Sequence, residues 1–354
     1  MTNLEKYLSV LEEGQGLLLT SRYSRYYSAR YDIAEAVAVV SKNGCRYFTD
    51  SRYIEAAQKG IRDFQVLEMN RENPFAKLIN EACRDFGITQ LGYEEDYLTV
   101  AEFEGYRQKL TATLVPISTK INGFRAVKEP WELELMKKAQ DITDIAFTEM
   151  LRRIQPGLTE KQLQAELIYC LLKNGADGLA FDPIVISGPN TSMPHGVPGD
   201  RVVENGDFIT MDFGAAYKGY CADMTRTVAV GYATEEMEKV YNIVLQAQTA
   251  AIAATKAGCT GAEIDGVARK IITDAGYGPY FGHSYGHSIG MECHEMPSCS
   301  PSGQTVIGQN VVCSAEPGIY LPDKFGVRIE DLVIFKEDGC ENITHSPKEL
   351  IIVK

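Results

Sequence analysis

A chain of 354 residues is long for one hydrophobic core and sufficient for two, and its 45% apolar and 23% charged residues exclude a disordered or fibrous protein. A net charge of −13 repels phosphate backbones, which argues against a nucleic-acid partner and mildly favours a cationic ligand such as the α-ammonium of a peptide. Nine scattered cysteines, an odd number with no Cys-x-x-Cys spacing, read as reduced thiols of a cytoplasmic protein rather than a disulfide frame or a zinc knuckle. In chain order, the first six residues, Met1 to Lys6, place charges where a secretory signal needs an apolar run. The longest uncharged stretch, Val240 to Thr255, is interrupted by Asn242, Gln246 and Thr249 and is too short for a membrane span.

Short apolar runs at Leu17 to Thr20, Ala36 to Val40, Arg46 to Thr49, Gln65 to Met69, Gln90 to Tyr93 and Thr113 to Pro116 predict strands. Helical spacing lies between them at Arg52 to Lys59, Pro74 to Phe86 and Val100 to Leu110, and the alternation predicts a small α/β layer domain. Arg22, Arg25 and Arg30, interleaved with tyrosines, read as a solvated or interdomain face. The pattern breaks at Asn122-Gly123, and Glu129-Pro130-Trp131-Glu132 opens a long helix, so the boundary falls between residues 1–123 and 124–354. A second helix follows Thr159, a cap with Gln162 three residues on. From Phe208 come strands, then helices over Glu235 to Lys256 and Ala262 to Ala275, then strands to the end. Helix, hairpin, helix, hairpin predicts an α+β domain with helices on the outer face of a sheet.

Four of the five histidines, His195, His283, His287 and His294, fall within one hundred residues among glycines, prolines and acids, whereas His345 is isolated. A hairpin turning at Lys218-Gly219 returns Asp223 alongside Asp212, directly or on the diagonal. A second, with Pro322-Asp323-Lys324 at its tip, brings Glu316 and Glu330 together. Four carboxylates crowded in a mostly apolar setting repel one another unless cations lie between them. With one imidazole they form an oxygen-rich set suited to two Mn²⁺ or similar ions rather than a structural zinc, and metal-assisted hydrolysis is the reaction class such a set implies.

The phrases Met211-Asp212-Phe213-Gly214-Ala215, Asp223-Met224-Thr225-Arg226-Thr227, Gly286-His287-Ser288-Ile289-Gly290 and Glu316-Pro317-Gly318-Ile319-Tyr320, with Glu330, resemble the pita-bread metallopeptidases, and their intervals are similar to those of aminopeptidase P and prolidase. The resemblance implies a catalytic pita-bread domain over 124–354 and a creatinase-like domain over 1–123 that serves substrate access and dimerisation. Asp212 would hold one ion, His287 and Glu316 the other, and Asp223 and Glu330 both; Mn²⁺ is the expected metal, with Co²⁺ or Zn²⁺ as alternatives. His195 and His294 would touch substrate and steady the oxyanion, His283 would line the proline pocket, and Arg328 would support the site. The implied reaction is hydrolysis of the Xaa-Pro bond at a peptide's N-terminus, with Glu316 relaying the proton, in a homodimer acting on short peptides. An amide before proline has no hydrogen to donate, so its recognition needs a pocket shaped for the ring.

Three residues depart from the family pattern: Ser288 replaces a glycine, Cys293 a valine, and Ser298 the arginine with which prolidases grip a dipeptide's carboxylate. Ser298 favours an aminopeptidase of longer peptides over the alternative, a dipeptidase. A metal-free binding protein and an amidinohydrolase are the competing classes, and both are disfavoured by retention of all five ligand types. Cys293 and Cys299 read as packing residues.

Overall fold

A computed structural model describes residues 1–354, which divide into two compact units, Met1–Arg125 and Ala126–Lys354. In the first, strands β1 (Gln15–Leu19), β2 (Ala36–Ser41), β3 (Gly44–Asp50), β4 (Gln65–Met69), β5 (Gln90–Tyr93) and β6 (Thr113–Pro116) form one mixed sheet in the order β4-β3-β2-β1-β5-β6. Helices α1 (Asn3–Ser9), α2 (Arg22–Ala29), α3 (Ile54–Gly60), α4 (Phe75–Phe86) and α5 (Val100–Lys109) connect or flank the strands, and short α6 (Ser118–Ile121) and α7 (Gly123–Ala126) lead to the junction. Leu78, Ile79, Ala82 and Cys83 form the apolar stripe of α4 and pack on Leu18, Val39, Phe48 and Leu91 of the sheet.

Periodicity missed α1 and α2, which are short and are specified by their ends rather than by an apolar stripe. Thr2 and Glu5 form a capping box on α1, and Ser21 caps α2. The reading of Arg25 as solvated is corrected. It is buried, and its guanidinium donates to the carbonyls of Thr20, Ile33, Ala34 and Ala36, satisfying backbone acceptors where the chain leaves α2 for β2. Arg22 does lie in solvent, paired with Asp32.

The second unit opens with α8 (Pro130–Met150), which has proline in its first turn and Glu129 with Glu132 as its capping pair. Next is α9 (Glu160–Lys173), where Thr159 and Gln162 form the predicted capping box. Strands β7 (Gly178–Leu179), β8 (Ile184–Ser187), β9 (Phe208–Phe213), β10 (Ala215–Tyr217), β11 (Tyr220–Cys221) and β12 (Met224–Val230) precede α10 (Glu235–Ala254) and α11 (Gly261–Asp274). The chain ends with β13 (Gly286–Ser288), β14 (Glu295–Cys299), β15 (Val312–Ala315), β16 (Gly318–Leu321), β17 (Phe325–Arg328), β18 (Asp331–Lys336), β19 (Gly339–Asn342) and β20 (Ile352–Val353). The α+β class is as predicted, but the single sheet becomes two main ones. Sheet β20-β12-β9-β8 packs with α8 and α9 around Ile142, Phe147, Leu163, Leu167, Met211 and Val228. Sheet β14-β13-β15-β18-β19 packs with α10 and α11 around Val244, Ile264, Ala268, Ile272, Val333 and Phe335.

Both predicted hairpins form. Lys218 and Gly219 have φ of 46° and 78°, the left-handed pair that a two-residue turn between twisted strands requires, and they join Tyr217 to Tyr220. Beyond this tip β9 pairs with β12 so that Asp212 faces Thr225, which puts Asp223 on the diagonal from Asp212. In the second hairpin Gly318 faces Arg328 and, after a break, Ala315 faces Asp331 in the same register, so Glu316 and Glu330 are opposite one another at the break. There each amide turns elsewhere: Glu316 N donates to Tyr285 O, just before β13, and Glu330 N to Thr225 O of β12. The second of these bonds ties the two sheets together at the carboxylates.

Gly214 allows the first hairpin to close, since a Cβ there would lie 1.7 Å from Ala222 O. Gly214→Ala is expected to lower stability by about 1–3 kcal/mol and to part Asp212 from Asp223. An unchanged melting temperature together with undiminished divalent-ion uptake would refute this.

Candidate metal centre

Asp212 on β9, Asp223 before β12, Glu316 after β15 and Glu330 before β18 converge with His287 of β13, so the structure brings together all five residues predicted as ligands. His287 Nε2 lies 3.3 Å from Glu316 Oε1 and 3.6 Å from Asp223 Oδ2. Asp223, His287 and Glu330 each place one ligand atom within 4.8 Å of the others'. Three buried carboxylate oxygens, Asp212 Oδ1, Asp223 Oδ1 and Glu330 Oε1, have no hydrogen-bond partner. Buried carboxylate oxygens are normally satisfied, so three orphans facing one cluster fit cations bound there.

The remaining oxygens are held. Thr225 Oγ1 donates to Glu330 Oε2 at 2.6 Å, Ser314 Oγ to Glu316 Oε1 at 3.0 Å, Arg328 Nη2 to Asp212 Oδ2 at 2.6 Å, and Cys293 Sγ to Asp223 Oδ2 at 3.4 Å. Sequence reasoning missed Thr225 and Ser314, although each stands only two residues along the chain from a predicted ligand, Asp223 and Glu316. Cys293 was read as packing; its sulfur instead contacts a carboxylate of the cluster, whereas Cys299 is buried in the apolar core as expected.

Electrostatics follows from crowding. Burial, then Asp212 and Glu316, pushes Asp223 well above the carboxylate range. Burial, then Asp223, Glu316 and Asp212, does the same to Glu330. Burial raises Glu316 to about 7, with Arg328 opposing and Asp212 adding to the rise. At Arg328 burial disfavours the charge, but Tyr320, Asp212 and Glu316 outweigh it and hold the guanidinium protonated. Burial lowers His287, and its Nδ1–H donates to Ser288 O, which leaves the Nε2 lone pair facing the carboxylates.

The site opens into a cavity of about 230 Å³, whose walls include His195, His283, His294, Ser298, Glu316 and Arg328. His283, depressed to about 4 by burial and then by Arg328, donates from Nδ1 to Ser284 O, and the Tyr320 hydroxyl donates to its Nε2 at 2.9 Å. The Tyr320 oxygen in turn accepts from Arg328 Nη1 at 2.9 Å, so a neutral imidazole is fixed in one orientation. Tyr320 ends the phrase Glu316-Pro317-Gly318-Ile319-Tyr320, and nothing in the spacing marks it as the link between His283 and Arg328. His195 sits on the loop after β8, which Glu160 pins: its carboxylate accepts from Ser187 N, Ser187 Oγ, Asn190 Nδ2 and Gly199 N. His294 packs against His287 with ring centroids 4.1 Å apart and the ring planes tilted by 42°, and the next residue, Glu295, forms a buried ion pair with Lys128 at 3.0 Å.

A model of metallopeptidase family M24 matches residues 134–337, and a model of the creatinase/prolidase N-terminal domain matches residues 6–127. The chain is 39% identical over 339 residues to the uncharacterized peptidase YqhT of Bacillus subtilis, covering 96% of each. Among solved structures it resembles an Xaa-Pro dipeptidase from Bacillus anthracis with a TM-score of 0.95, 40% identity and 99% of each chain covered. It resembles an X-Pro aminopeptidase from Thermotoga maritima with a TM-score of 0.93, 38% identity and 99% of each chain covered.

Proposed function

Because this chain belongs to metallopeptidase family M24 and carries a creatinase/prolidase N-terminal domain, we propose that it hydrolyses the Xaa-Pro bond at the N-terminus of short peptides, acting as an aminopeptidase. The observation that carries the reading is the cluster of four carboxylates and His287, with three orphaned oxygens, beside a cavity of about 230 Å³ that Asp212, His287 and Glu316 line. Asp212, Asp223, His287, Glu316 and Glu330 would hold two divalent ions, Mn²⁺ by the hardness of an oxygen-rich set, and such ions supply an activated water and a polarised carbonyl.

The chain's own residues do the rest. Glu316, at the edge of the cavity, can take a proton from the attacking water and return it to the proline nitrogen as the C–N bond breaks. His195 and His294 line the cavity, placed to donate hydrogen bonds to the carbonyl oxygen as negative charge develops on it. The neutral His283 ring, packed against Tyr320 and Phe281, presents an uncharged wall to the pyrrolidine. Arg328 is the cation among the cavity residues, and Asp212, Tyr320 and Thr225 engage its guanidinium. That leaves it poorly placed to grip a free dipeptide carboxylate and, with Ser298, favours longer peptides.

The same reading assigns residues 1–123 to substrate access and dimerisation and places a homodimer in the cytoplasm; nine free cysteines accord with a reducing compartment. No helix is long and apolar enough to cross a membrane.

The test is hydrolysis of Ala-Pro and Ala-Pro-Ala by chelated protein resupplied with Mn²⁺, Co²⁺ or Zn²⁺. Faster release of alanine from the tripeptide is expected. Cleavage of the dipeptide alone would establish the dipeptidase, and cleavage of neither with any ion would overturn the peptidase reading.

A further inference from the structure

Beside the carboxylate cluster lies a second set of donors of different chemistry. His287, Cys293 and His294 each place one ligand atom within 4.8 Å of the others', and His294 is exposed to the cavity. Two imidazoles and a sulfur with an open fourth position suit a tetrahedral borderline or soft cation, whereas the oxygen-rich carboxylate set suits Mn²⁺. The two sets share His287. Its Nδ1 hydrogen is committed to Ser288 O, so Nε2 carries the one available lone pair. Asp223 Oδ2 is a neighbour common to both sets, 3.6 Å from that nitrogen and 3.4 Å from Cys293 Sγ.

We propose that Cys293, His294 and His287 form a capture site for a soft divalent cation such as Zn²⁺ or Cd²⁺, and that filling it withdraws His287 from the carboxylate-held ion and stops turnover. One lone pair cannot serve two ions, so an ion at the capture site and the carboxylate-held ion compete for His287. As the sulfur–metal bond forms, the thiol proton passes to solvent, one per ion bound. The hydrogen bond from Cys293 to Asp223 is lost in the same event, which removes a contact from a second carboxylate of the cluster. The chain would thus be sensitive to soft ions at concentrations that an oxygen-only site would tolerate. The consequence for activity rests on the peptidase reading; the binding site itself does not.

The experiment is a Cd²⁺ titration of the full-length protein at several Mn²⁺ concentrations, followed by the ultraviolet thiolate-to-cadmium charge-transfer band and, in parallel, by peptide hydrolysis. The expected result is a band whose Cd²⁺ midpoint rises with Mn²⁺ and which is missing from both Cys293→Val and the near-isosteric Cys293→Ser. The Cd²⁺ inhibition constant, taken relative to each protein's own uninhibited rate, should rise about tenfold or more in either variant. An undiminished band in both variants, or a Cd²⁺ midpoint indifferent to Mn²⁺, would overturn the proposal. The band is read without turnover, so a protein that cleaves neither test peptide still decides it.

Discussion

Glu330→Gln should cut Xaa-Pro hydrolysis by about a thousandfold or more, equivalent to about 4 kcal/mol of lost transition-state stabilisation, while leaving the metal-free protein more stable than wild type at pH 8. The two effects have one cause. Glu330 is buried among Asp223, Glu316 and Asp212, and burial together with the neighbouring charges raises it well above the carboxylate range. Removing its charge relieves repulsion in the empty site and deprives the filled site of a ligand oxygen. The sign with pH follows. Glu316 titrates near 7 in the folded chain against an ordinary value of 4.5, so between those values the folded state binds more protons than the unfolded state. Stability of the chelated protein therefore falls as pH rises through that window, and falls further where Glu330 and Asp223 ionise. The Glu330→Gln substitution removes one of these titrations, and the variant's decline should be shallower. Urea midpoints of chelated wild type and variant at pH 5, 7 and 8 check this, and parallel profiles would refute the repulsion account.

Arg226→Met should cost about 3–5 kcal/mol of stability, the usual penalty for stranding one member of a buried ion pair. Arg226 and Asp331 have side chains 1% and 0% exposed, and their charges meet at 2.7 Å. The guanidinium also donates to Thr225 O, Glu330 O, Ser346 O and Pro347 O, so it joins a strand of one sheet, the start of β18 and the C-terminal segment. Lys348 Nζ, 2.9 Å from Asp331, softens the loss but cannot replace those carbonyl contacts. Because two of the carbonyls belong to Thr225 and Glu330, divalent-ion affinity should weaken along with stability. The double variant Arg226→Met/Asp331→Leu should recover part of the stability, since the fully buried carboxylate is then gone and Lys348, 24% exposed, can turn its ammonium to solvent. A single variant within about 0.5 kcal/mol of wild type would show that the pair is dispensable.

Much of the centre was legible because it is built from hairpins. A turn at Lys218-Gly219 fixes which residues return beside Asp212, and the constant register through β15–β18 and β16–β17 makes Glu316 face Glu330 whatever surrounds them. Capping boxes at Thr159 and the proline opening of α8 likewise act within a few residues. Such local rules can be read off a linear chain, and so could the α+β class and the six strands of the first unit.

What the tertiary structure decided acts over long separations. Thr225 meets Glu330 across 105 positions, and Cys293 meets Asp223 across 70. The burial of Arg25 depends on where four carbonyls end their strands and turns. Protonation is of the same kind. No spacing in the sequence sets Glu316 near 7 or keeps His283 neutral, because those values come from removal of water and the summed field of groups that only the packed sheets bring together. The sequence by itself determined which residues stand opposite one another in each hairpin. Only the packing of the two sheets decided which oxygens are left unpartnered and which histidine lone pair faces them.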